Sequence, residues 1–77
     1  MDQQIFKQGL SVPATSLYLL IDSLSDSGAR LTRETVLRVW NAGSEELDQA
    51  FAELVARHIA GADAGGVWFV RPAPDWA

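Results

Sequence analysis

Apolar residues recur along this chain with two different periods, and the change of period divides it into elements. Leu17, Leu20, Ile21 and Leu24 fall at i, i+3, i+4 and i+7, one buried stripe of a helix. Ser11-Val12-Pro13 sets up its start, because proline's fixed φ suits the first turn and its missing N–H has no partner there anyway. Gly28 supplies a left-handed stop. Tyr18 and Leu19 lie off the stripe and mark a second contact surface on this helix.

A second helix opens at Thr32, whose hydroxyl caps the free N–H groups of the first turn while Leu31 and Val36 form a hydrophobic staple. Val36, Leu37 and Trp40 are its inner face, and Glu34 and Arg38 make an i, i+4 pair on its surface. Asn41-Ala42-Gly43 is a tight turn. Ser44 is then expected to cap a third helix that carries Glu45 and Glu46 in its first turn, where carboxylates complement the positive end of the dipole, with Leu47, Ala50, Phe51, Leu54 and Val55 inward. Beyond it the period becomes two. Ile59 to Ala62, a reversal at Asp63-Ala64-Gly65-Gly66, and Val67 to Arg71 predict a β-hairpin, ended by Pro72 and Pro74. The expected boundaries are helices near 14–27, 33–41 and 45–58 and a hairpin over about 59–71.

Helix, helix, tight turn, helix, hairpin: the stretch LTRETVLRVWNAGSEELDQAFAELVARHIAGADAGGVWFV, residues 31–70, carries a resemblance to the winged helix-turn-helix domain. The likeness spans about residues 13–72, leaving 1–12 as an N-terminal segment and 73–77 as a tail. It implies a small α+β winged helix. His58 stands where such domains usually place glycine on leaving the third helix.

The function that this resemblance implies is DNA binding by the third helix, and the charge pattern argues against it. Residues 41–66 hold Glu45, Glu46, Asp48, Glu53 and Asp63 against Arg57, five acids to one base, which accounts for the whole formal net charge of −4. DNA affinity comes largely from Lys and Arg neutralising phosphates, and no base lies between Gly61 and Val70. Glu45, Glu46, Asp48 and Glu53 therefore read first as a solvated face well placed for the helix dipole, and next as an acidic docking face for a basic protein partner. The competing reading is a dimeric DNA-binding transcriptional regulator, with Arg30 and Arg33 on phosphates and Gln49 near bases.

Catalysis finds no footing. His58 is the single histidine and there is no cysteine, so no zinc set can form, and no nucleophile elbow or phosphate-cradling loop is present. No cofactor is expected. The longest apolar stretch, Leu17 to Ile21, is far short of the roughly 20 residues of a membrane span, and the first ten residues lack signal-peptide character, which makes a cytoplasmic protein the expectation.

The aromatics point to association. On the last strand Val67, Phe69 and Arg71 share one face and Trp68 and Val70 the other; if Phe69 faces inward Trp68 is exposed, and the reverse exposes Phe69. A chain of 77 residues buries only about 60% of its unfolded surface. A homodimer or protein-partner interface is expected to include Phe6, Tyr18, Leu19, Trp68 and Val70. The alternative is that the termini fold back and cover these residues. The expected function is thus a non-catalytic, regulatory or adaptor module.

Overall fold

Residues 3–76 are described by a computed structural model. A 3-10 turn at Gln3–Lys7 leads into helix α1 (Val12–Asp26), followed by α2 (Arg33–Val39), α3 (Ser44–Ala56), strands β1 (Ala60–Ala62) and β2 (Trp68–Val70), and a second 3-10 turn at Ala73–Asp75. This is an α+β fold, three helices followed by a two-stranded antiparallel sheet. Among the described residues no helix is long and apolar enough to cross a membrane.

The helix starts follow the local chemistry. Ser11 caps α1, its Oγ accepting from the Ala14 N–H at 3.3 Å, with proline in the first turn. Thr32 caps α2 reciprocally: the Thr35 N–H donates to Thr32 Oγ1 at 3.2 Å and the Thr32 N–H to Thr35 Oγ1 at 2.8 Å, a threonine doing the work that glutamate does in the usual capping box. The expected cap at Ser44 is corrected by one residue. Gly43 takes the extended cap position without a side-chain bond, and Ser44 is already the first helical residue.

The helix stops are two copies of one device. At the end of α1 the Ala29 N–H reaches Leu24 O and the Gly28 N–H reaches Ser25 O, with Gly28 left-handed at φ 81°. At the end of α3 the Ile59 N–H reaches Leu54 O and the His58 N–H reaches Val55 O, with His58 at φ 57°. Both are Schellman motifs. The second places a histidine in a conformation that costs an L-residue roughly 1–2 kcal/mol, the position that glycine fills more comfortably. Replacing His58 with glycine relieves that strain and adds about 0.4–1 kcal/mol of unfolded-chain entropy, so the net expectation is a gain of about 0.5–1 kcal/mol. A domain of this size then melts several degrees higher, at about 4–8 °C per kcal/mol. A lower midpoint in thermal unfolding would show that the imidazole makes a contact worth more than the strain.

The core gathers residues from the first 3-10 turn, the three helices and both strands. Ile5, Leu17, Ile21, Val36, Leu47, Leu54 and Ile59 are its largest fully buried side chains, with Leu31, Tyr18 and Trp68 completing it. Leu31 and Val36 are both buried, as the staple requires. Val55, expected inward, is instead 41% exposed; it sits on the rim of the apolar arc of α3, past Leu54.

In the sheet Ala60 pairs with Val70, Gly61 with Phe69 and Ala62 with Trp68. Asp63 shapes the reversal, its Oδ1 accepting from the N–H groups of Gly65 (2.8 Å) and Val67 (3.0 Å). The far edge of β2 is also engaged, because the Trp68 N–H donates to Leu31 O at 2.7 Å. That bond ties the hairpin to the segment before α2.

Candidate functional site

The sheet register decides which aromatics face solvent. Trp68 turns inward, is 7% exposed and stacks on Phe51 of α3 with ring centroids 3.9 Å apart and planes within 9°. Val70, on the same face, is half-buried against the core. Phe69 takes the outer face and lies across Gly61, where an added Cβ would come within 2.7 Å of its ring; the Arg71 guanidinium stands 5.3 Å from the ring centroid. The outward orientation expected for Trp68 is therefore corrected. An indole needs a deep apolar neighbour to bury its area, and Phe51 supplies one, while the missing side chain of Gly61 leaves room for Phe69 outside.

Tyr18 is corrected in the same sense. It is buried, and the ring of Trp76 meets it edge-on at 5.6 Å and 85°. Leu19 is half-buried against the core. Both ends of the described chain fold back as the alternative reading had it, Ile5 into the core and Trp76 over α1. Of the five residues expected at an interface, Phe6 alone is strongly exposed, at 59%.

The acidic residues of α3 divide by what they touch. Glu53 points back at the start of α1, its carboxylate accepting from the Ser11 N–H at 2.7 Å and the Ser11 hydroxyl at 2.9 Å. It ties α3 to the cap of α1 and is a structural residue. Asp48 grips Arg33 of α2 through two parallel bonds, Nε to Oδ1 at 2.8 Å and Nη2 to Oδ2 at 3.1 Å. The Arg33 hydrogen bonds hold the Asp48 carboxyl below the usual carboxylate range, and the same contact pushes the guanidinium upward. Both groups stay charged at neutral pH and largely cancel. Glu45, Glu46 and Gln49 are exposed on the first turns of α3, and Arg30 is exposed before α2.

Three features meet at the corner between α2 and α3. Val39 is 52% exposed in the last turn of α2. The neighbouring Trp40 is half-buried with its Nε1 shielded from water and without a hydrogen-bond partner. Glu45 and Glu46 follow across the turn. An apolar contact, an unmet donor and two carboxylates are thus placed within eight residues. Periodicity could have flagged Val39, which is off the Val36, Leu37 and Trp40 face; the unmet donor depends on how the indole packs. A further exposed valine, Val12, starts α1.

Among the described residues no three His, Asp or Glu side chains are grouped to hold a metal ion. His58, Arg71 and Asp75 line one shallow groove, and a larger one runs between α1 and the residues after β2. No family model, curated protein or solved structure matches the chain.

Proposed function

We propose that this chain is a non-catalytic winged-helix module that acts by protein association, as a regulatory or adaptor component, with the α2–α3 corner and the acidic start of α3 as its docking face. The observation that carries the reading is the bidentate Arg33–Asp48 pair. An arginine that could neutralise a phosphate is already held by a carboxylate of the helix that would enter the groove, and the exposed side chains ahead of it, Glu45 and Glu46, are acidic. Such a face repels a polyanion and suits a basic, amphipathic protein segment, whose apolar side chains would meet Val39.

The competing reading, a DNA-binding dimer using Arg30, Arg33 and Gln49, retains the exposure of Arg30 and Gln49 in its favour. Parallel amide titrations at low salt separate the two. A short Lys/Arg-rich peptide with interspersed leucines should move the amides of Val39, Glu45 and Glu46, and the Glu45→Lys, Glu46→Lys double variant should abolish the effect. Mixed-sequence duplex DNA should show no binding tighter than about 10⁻⁴ M, the weak end of non-specific binders. Salt-sensitive DNA binding that shifts Arg30 and Gln49 would overturn the proposal and establish the regulator.

A further inference from the structure

Among the described residues one buried side-chain polar atom has no hydrogen-bond partner, the indole Nε1 of Trp40. A donor left unmet where water cannot reach it costs free energy, and a native structure keeps such a group only where something offsets the cost. Here the offset is apolar, because the half-buried ring packs against the core cluster. The backbone does not bind the ring to that position. The Trp40 N–H is held by Val36 O at 3.0 Å and Leu37 O at 3.3 Å, and extended angles, φ −79° and ψ 126°, end α2 there. A rotation about the side-chain bonds therefore breaks no backbone hydrogen bond.

The surroundings of the indole say what could improve on its resting position. Val39, its neighbour in the chain, is 52% exposed, and Glu45 and Glu46 are exposed across the turn. These carboxylates repel an acidic acceptor and attract a positively charged segment, whose neutral main-chain carbonyls are the acceptors it can bring. We propose that Trp40 is the specificity-determining anchor of the α2–α3 face: its indole turns outward and donates its N–H to a main-chain carbonyl of a basic segment whose leucines meet Val39. This rests on the association reading and adds to it the contact that selects the partner. In the free chain apolar burial holds the ring in, since water offers an acceptor but no apolar cover. A peptide offers both at once, and that differential contact moves the equilibrium. Tryptophan is among the residues that most often carry binding energy at protein interfaces.

The test uses the full chain, chemically synthesised with an isotope label at the Trp40 indole, and a blocked basic peptide of sequence KLRKLLRK. The peptide should move the indole N–H resonance downfield, the direction of a donor gaining an acceptor, together with the amides of Val39, Glu45 and Glu46. Replacing the Trp40 indole by benzothiophene keeps the shape of the ring and removes the donor. That chain should bind the peptide about 3- to 10-fold more weakly, the worth of one hydrogen bond, yet melt no lower than wild type, because the group it loses had no partner in the free state. A purely structural Trp40 would move the melting midpoint and leave the affinity alone. Trp40→Phe should weaken binding at least as much. Equal affinity of the benzothiophene chain and wild type overturns the proposal, and so does a lower midpoint for the benzothiophene chain. A stationary indole signal while Val39, Glu45 and Glu46 shift also overturns it, but leaves the docking face standing without this anchor. A peptide that moves none of these signals removes the face and the anchor together. An indole signal that shifts with protein concentration alone, or with duplex DNA in place of the peptide, gives the site to a second copy or to nucleic acid and overturns the assignment.

Discussion

Trp68→Ala is expected to destabilise the fold strongly, whatever its oligomeric state. The indole is 7% exposed, lies flat on Phe51 at 3.9 Å, and belongs to the residue whose N–H anchors β2 to Leu31. Large-to-small changes at buried aromatics cost about 3–5 kcal/mol, since the cavity only partly collapses. At roughly 0.05–0.15 kcal/mol per residue a domain of this length holds about 4–12 kcal/mol in total, so one substitution removes about a quarter of it or more. A urea titration followed by circular dichroism reads this directly as a fall in midpoint. An unchanged midpoint, with loss only of self-association in sedimentation, would return Trp68 to an outward, interfacial position.

The second large effect is expected at the opposite end. Ile5 lies in a 3-10 turn of five residues that would not be stable alone, yet it is 1% exposed and sits in the same cluster as Leu17 and Leu54. Ile5→Ala should cost about 2–4 kcal/mol, which at 4–8 °C per kcal/mol lowers the melting midpoint by about 8 °C or more. Phe6→Ala, one residue along but 59% exposed, is the control and should leave the midpoint within a degree or two. Equal, small effects at both positions would show that the segment does not belong to the core.

Much of the helical framework was readable because its causes act within one turn of chain. The Ser11 and Thr32 caps, the Gly28 stop and the Leu31–Val36 staple join residues no more than five apart, so their chemistry is spelled out in order. The His58 departure was visible as well, since the third helix's exit demands a left-handed residue and histidine stands where glycine is usual. The acidic face was read correctly as a composition and incompletely as a surface. Asp48 and Glu53 find their partners 15 and 42 residues away, and no local pattern says which acids will be spent on such contacts.

By itself, then, the sequence determined the order and kind of the three helices and the hairpin, though not the two 3-10 turns, together with the inward stripe of α1, most of that of α3, and the excess of acid on α3, because hydrophobic period, capping and charge placement are local quantities. A period of two cannot choose the sign of a strand. Trp68 and Phe69 are equally apolar, and only the tertiary structure decided between them, by setting Phe51 against one face and the bare Cα of Gly61 on the other. The same holds for Tyr18, which lies off the stripe, is buried, and meets the ring of Trp76 from 58 residues away. Burial at such positions is a property of which distant surfaces come together, and chain-local chemistry does not encode that.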